Sequence, residues 1–213
     1  MTKKHLVLTA IVLVAALILP LGTIQADSVT VATFADPSGN ANNPLFTVNW
    51  ANSTINGGWA DSKNGLNLEV PLTSSSFANA WFAMDQLTIT GTIVFGGTKY
   101  GTTGAGQIRF YADGTNTSPL LNIDFTTGAV GVQFLAGDDD FIGNNVTITG
   151  SAIPFALSYE QFSFSFANVT PLISGVDGFT STASFTSSAV VPEPATICLL
   201  GLGALALLKK RKA

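Results

Sequence analysis

The segment Phe162-Ser163-Phe164-Ser165-Phe166 alternates aromatic and hydroxyl side chains without interruption. Because successive side chains of a β-strand point to opposite faces, a strand here places three rings on one face and two hydroxyls on the other. A helix would instead scatter the rings around its circumference. The segment therefore predicts a half-buried strand.

The same two-residue period recurs along most of the chain. It is regular in residues 66–70, 87–93 and 146–149, and such alternation favours strands over helices. Further strands are predicted where short apolar runs are bounded by turn residues, at 28–35, 45–51, 79–84, 107–112, 120–126, 129–135 and 179–186. No stretch between residues 27 and 190 shows a convincing helical period.

Turn signals separate these segments. They are Asn56-Gly57-Gly58, Asn64-Gly65, Gly96-Gly97, Asp113-Gly114, Thr127-Gly128 and Asp177-Gly178. The pattern predicts an all-β fold, an antiparallel two-sheet sandwich of jelly-roll type, over residues 27–173. A β-solenoid is the alternative, although no fixed repeat of the length that solenoids require is present. Residues 174–190 are predicted to form a last strand that runs into a flexible Ser/Thr-rich linker.

Charge and cysteine content exclude several classes of protein. The chain has 213 residues, of which 10% are charged, and it holds one Cys. Residues 27–190 carry twelve acidic and three basic side chains, a net charge of −9, which disfavours binding to nucleic acid. One Cys forms no disulfide within the chain. The same residues contain no His, which excludes a Ser-His-Asp triad and a His-based zinc site from this body.

The N-terminal residues 1–26 have the three parts of a secretory signal peptide. Lys3 and Lys4 precede an apolar stretch over residues 6–19, and the segment closes on Ala26. Cleavage is predicted between Ala26 and Asp27. The alternative is an uncleaved membrane anchor, for which 14 apolar residues are short of the ~20 that a helix needs to span a bilayer.

The C-terminal residues contain a second apolar segment with the features of a targeting signal. Val191, Pro192, Glu193 and Pro194 lead into an apolar stretch over residues 195–208, which predicts a short membrane helix. The two prolines favour an extended, exposed approach to it. Four cations follow the stretch and are expected to stay on the cytoplasmic side and to set its orientation: Lys209, Lys210, Arg211 and Lys212.

These 23 residues, 191–213, resemble the PEP-CTERM sorting signal. The resemblance implies recognition of the Pro-Glu-Pro motif by an exosortase, a membrane enzyme that processes the protein during export, and a setting on the cell surface or in extracellular polysaccharide. The same tail is also labelled an ice-binding protein C-terminal domain in some family schemes. The chain is thus expected to use the export machinery, to be held transiently in the membrane by its apolar ends, and to be secreted.

Three features of the body suggest a ligand or a reaction. Asp138, Asp139 and Asp140 are consecutive carboxylates, a charge density that Ca²⁺ relieves, and an acidic turn between strands is the alternative. Calcium is the one candidate cofactor. Glu69 and Glu160 are the body's two glutamates, so a carboxylate hydrolase would depend on them. Six aromatic side chains offer a sugar platform or, alternatively, belong to the core: Trp50, Trp59, Trp81, Tyr100, Tyr111 and Tyr159.

The sequence therefore predicts a secreted, non-enzymatic surface or extracellular-matrix protein. The alternative is an extracellular carbohydrate-binding module, with or without calcium, that acts on exopolysaccharide.

Overall fold

The computed structural model describes residues 28–35, 44–58, 65–113, 118–132, 140–173 and 175–191. These residues form strands and one 3-10 turn, Pro71–Thr73. The strands are β1 (Ser28–Phe34), β2 (Phe46–Asn49), β3 (Thr54–Gly58), β4 (Leu66–Val70), β5 (Ser75–Phe95), β6 (Thr98–Thr103), β7 (Gly106–Tyr111), β8 (Pro119–Phe125), β9 (Thr127–Val132), β10 (Asp140–Asn144), β11 (Thr147–Thr149), β12 (Ser158–Pro171) and β13 (Gly178–Val190). The prediction of an all-β antiparallel fold is confirmed. The predicted signal helix and C-terminal helix lie outside the described residues.

The strands pair as one continuous antiparallel sheet that closes on itself. Its main order is β11-β8-β7-β5-β3-β2-β13-β12-β10-β9-β6, and β6 returns to pair with β5. A second connection runs through β1 and β4, which join β13 to β5. The long strands β5 and β13 thus belong to both connections. The finer arrangement, two sheets of jelly-roll type, stays a prediction.

The sheet encloses a core built largely of phenylalanine. Phe164 on β12 is completely buried, and its ring centre lies within 6.4 Å of six others. Those rings belong to Phe34, Phe46, Phe82, Phe141, Phe162 and Phe185. Since β12 does not pair with β1, β2 or β5, the contacts to Phe34, Phe46 and Phe82 cross the core. The inward face predicted from the Phe-Ser alternation is confirmed.

Two sequence expectations are corrected by the strands themselves. Asn56-Gly57-Gly58 is not a turn but part of β3, paired with β2 and β5. A Cβ on Gly57 would lie 2.8 Å from the Phe46 ring and 2.9 Å from the Met84 methyl group, so this glycine makes room for core side chains. Thr127-Gly128 likewise lies inside β9.

The end of the body also differs from expectation. The predicted last strand is present as β13, but it continues to Val190 and pairs with β1 on one side and β12 on the other. The linker predicted within residues 174–190 is therefore wrong from Gly178 onward. Burial alternates from Ala183 to Val190, where Phe185, Ser187 and Ala189 are buried, so one face of β13 meets the interior along this whole stretch.

The two ends of the body have different contents. Ser28, the first residue of β1, pairs with Val190, the last of β13, so both chain ends leave the sheet at one end, here called the terminal end. β5 passes the start of β3 at Thr88 and continues for seven residues to Phe95. The turn Gly96-Gly97 then starts β6 at the opposite, distal end, with φ of 60° and 86°.

Removing the central ring should destabilise the body strongly. Phe164→Ala is expected to lower the free energy of unfolding by about 3–5 kcal/mol, because it leaves a cavity among six rings. Ile173→Ala, a truncation of an exposed side chain, should change it by less than about 0.5 kcal/mol. Urea unfolding of the purified chain, followed by circular dichroism, measures both. A loss below about 1.5 kcal/mol for Phe164→Ala would contradict the central position of this ring.

Candidate functional site

The sorting motif follows directly on a strand that is paired on both sides. Val190 ends β13 opposite Ser28 of β1 and Ser158 of β12, and the Ser158 hydroxyl donates to the Val190 carbonyl over 3.2 Å. Val191 is the last described residue, and Pro192, Glu193 and Pro194 lie beyond it. An enzyme that recognises the motif must therefore work close to the terminal end of the folded body.

The other export residues lie outside the described part of the chain. These are Ala26 and Asp27 at the predicted signal cleavage, and Lys209, Lys210, Arg211 and Lys212 at the end. Within the described residues, no helix has the length and apolar character needed to cross a membrane.

A polar groove of about 530 Å³ lies near the terminal end, on the outer face of β10, β12 and β13. Most of its lining side chains end in amides or hydroxyls, and Glu160 is the one charged group among them. The lining residues are Ile142, Gly143, Asn144, Asn145, Glu160, Gln161, Phe162, Ser163, Thr186 and Ser188. Such a surface offers hydrogen bonds to a neutral, hydroxyl-rich ligand.

Strand register lines these groups up in rows. Thr33, Thr186 and Ser163 are directly cross-strand on β1, β13 and β12. Thr30, Ser188 and Gln161 form a second row nearer the terminal end. Because cross-strand neighbours share a face, the rows form one outward surface of hydroxyl and amide groups.

A bulge exposes an aromatic side chain next in sequence to the groove residue Glu160. Ser158 pairs with Val190 and Gln161 with Ser188, so Tyr159 and Glu160 together stand opposite one residue of β13. Tyr159 has a left-handed φ of 53°, and its side chain is 82% exposed. A smaller hollow of about 230 Å³, lined by apolar residues that include Phe155, shares Glu160 with the groove. An exposed aromatic in a strained backbone conformation marks this bulge as a functional candidate.

The predicted calcium cluster is described only in part. Asp140 starts β10 as an exposed residue paired with Gly131 and Ser165, while Asp138 and Asp139 lie outside the described residues. No group of three metal-ligating side chains occurs among the residues described. Calcium binding at Asp138, Asp139 and Asp140 stays a prediction.

Among the residues that the structure describes, the aromatic side chains of the predicted set do not form one exposed row. Trp50 and Tyr111 are buried, and Trp59 lies outside the described residues. Of the exposed pair, Tyr100 stands on the distal hairpin and Tyr159 at the terminal end. The Lys99 ammonium group lies 4.9 Å from the centre of the Trp50 ring and contacts the Asp177 carboxylate. Lys99 therefore covers Trp50 at the distal end of the core. A sugar platform made of this set is not supported.

The two glutamates are too far apart to act as a pair. Glu69 pairs with Thr33, which stands opposite Thr186, which in turn stands opposite Ser163 on the strand of Glu160. Three strand spacings of about 4.8 Å separate β4 from β12, more than the ~5–9.5 Å between paired glycosidase carboxylates.

Sequence reasoning missed most of the groove because it missed β10. Residues 137–145 resemble an acidic loop, yet Phe141 is fully buried and holds Asp140–Asn144 between β9 and β12. One signal was available: the hydroxyls opposite the rings in residues 162–166 predict a polar outer face beside any neighbouring strand.

The bulge provides a test of whether the Tyr159 ring serves the fold. Tyr159→Gly should raise the free energy of unfolding by about 0.5–1 kcal/mol, because relief of the left-handed strain exceeds the extra entropy of an unfolded glycine. Tyr159→Ala removes the ring but keeps the backbone strain, so it should be neutral within about 0.5 kcal/mol. Urea unfolding measures both variants. If both lose more than about 1 kcal/mol, the ring packs on the body instead of serving a ligand.

Comparison with known proteins bears on the C-terminal end alone. Residues 190–212 match the family model of the PEP-CTERM protein-sorting motif, which confirms the resemblance found in the sequence. Searches of curated proteins and of solved structures found no match. The matched segment indicates an exported protein that is sorted through its C-terminal signal.

Proposed function

We propose that this chain is a secreted, non-enzymatic surface or extracellular-matrix protein, whose β-body is displayed outside the cell after processing at the PEP-CTERM tail. The single observation that carries the proposal is the motif match over residues 190–212. An exosortase-type enzyme is the partner that this motif implies.

The position of the chain ends supports export through the tail. Ser28 and Val190 are paired, so a signal peptide and a C-terminal apolar stretch both emerge at the terminal end of the body. From Val190 to Ala195 the chain spans at most about 17 Å when extended. Before processing, the tail therefore holds the terminal end near the membrane and leaves the distal end facing away from it.

Replacing the motif tests this assignment. A chain with Pro192→Ala, Glu193→Ala and Pro194→Ala should stay in the cell envelope with its tail attached, because the processing enzyme loses its recognition element. Glu69→Ala, which removes an exposed glutamate from the folded body, is the matched control and should be processed like wild type. Intact-mass measurement of envelope and medium fractions distinguishes the forms. Wild-type processing of the triple variant would refute the sorting assignment.

A second candidate function, binding of a neutral polysaccharide, is favoured by the groove. Its lining offers amide and hydroxyl groups in register, and the exposed Tyr159, next in sequence to the groove residue Glu160, supplies an aromatic ring of the kind that stacks on sugars. The body carries a net charge of −9 and the groove adds one carboxylate, so acidic polymers would be repelled.

If the groove binds a polysaccharide, removing one of its amide groups should weaken that binding. Gln161→Ala should weaken retention in an affinity gel that contains a neutral polysaccharide by roughly fivefold, which is the value of one hydrogen bond of about 1 kcal/mol. Asn52→Ala removes another exposed amide, outside the groove, and should leave retention unchanged. Equal retention of both variants and wild type across neutral and acidic polymers would dismiss the groove as a sugar site.

A further inference from the structure

At the distal end, β5 has a free edge. Through Thr88 it pairs with β3, but from Gly91 to Phe95 it has β6 on one side and no partner on the other among the described residues. In a two-residue hairpin the residues that flank the turn exchange hydrogen bonds and the pattern then alternates, so the backbone groups of Thr92 and Val94 point away from β6. They form an open row of donors and acceptors.

The side chains on this edge are apolar and exposed. Ile93, Val94 and Phe95 are 66%, 70% and 77% exposed, and no charged residue occurs from residue 86 to residue 98. Protein surfaces usually protect such edges with Lys, Pro or a covering segment. None of the segments that the structure describes covers the apolar side chains of this hairpin.

The edge is complementary to itself. In an antiparallel pairing centred on Ile93, Thr92 stands opposite Val94, and Phe95 stands opposite Gly91 of the other copy. Gly91 has no side chain, and the one atom that a Cβ there would meet within 4 Å is the Thr102 hydroxyl of β6, at 3.2 Å, so no side chain covers Gly91 on the side away from β6. The neutral segment also keeps the charges of two acidic bodies apart at the contact.

We propose that Gly91–Phe95 of β5 is a homodimer interface, at which a second copy of this chain adds its own β5 edge in antiparallel register about a two-fold axis at Ile93. The contact joins two bodies through their distal ends, so it leaves both terminal ends and their sorting tails free. Neighbouring bodies are thereby linked by their outer ends.

The register is tested by disulfide trapping of the full chain in detergent. With Cys198→Ser removing the one native thiol, Ile93→Cys should give a covalent dimer on mild oxidation, because residues facing each other across a non-hydrogen-bonded pair have Cα atoms ~4.5 Å apart. Ile173→Cys, which is at least as exposed and lies in the β12–β13 connection, is the matched control and should stay monomeric on a non-reducing gel. Equal trapping of the two variants would refute the register.

The interface itself is tested without covalent trapping. Sedimentation velocity of the full chain in detergent should show a dimer whose population grows with concentration. Val94→Lys places a charge on the edge and should move the midpoint of dimerisation to at least tenfold higher concentration, whereas Ile173→Lys should leave it unchanged. A wild-type chain that stays monomeric, or a Val94→Lys chain that dimerises like wild type, would overturn the proposal. Neither result bears on sorting, which depends on the opposite end.

Discussion

The pairing of β13 between β1 and β12 is the constraint on which the rest of the molecule depends. Those three strands hold Phe34, Phe164 and Phe185, whose rings contact one another at the centre of the core. A buried hydroxyl strengthens the pairing of β13 with β1, because the Ser187 hydroxyl accepts from the Ala32 N–H and donates to the Ala32 carbonyl, each over 3.1 Å. The strand that organises the core is thus also the strand that delivers the sorting motif.

Periodicity predicted the strands whose two faces meet different surroundings. Residues 66–70 and 162–166 alternate because one face meets the core and the other meets solvent, and both are strands in the structure. It failed where a strand lacks that contrast. β3 ends in two glycines, and in β10 the apolar Ile142 lies on the outer face next to the buried Phe141, so neither strand alternates regularly. Both are held as strands by pairing with their neighbours.

The candidate sites also differ in how far the sequence alone reveals them. A sorting signal is recognised as a linear segment, so its residues are visible in sequence order and the family match finds them. The groove is assembled from three strands that are distant in sequence, and its rows depend on registers such as Thr33 with Thr186. The free edge of β5 is less visible still, because residues 87–95 look like any buried strand until the limits of β3 are known.

These positions give the two ends of the body different features. The terminal end holds both chain exits, the groove and Tyr159, while the distal end holds the apolar hairpin. If the chain is processed as proposed, its tail keeps the terminal end near the membrane beforehand, which restricts access to the groove and leaves the hairpin free. Release of the tail removes that restriction. Under these proposals the body associates through its distal end at any stage, whereas its polar groove becomes fully accessible only after cleavage.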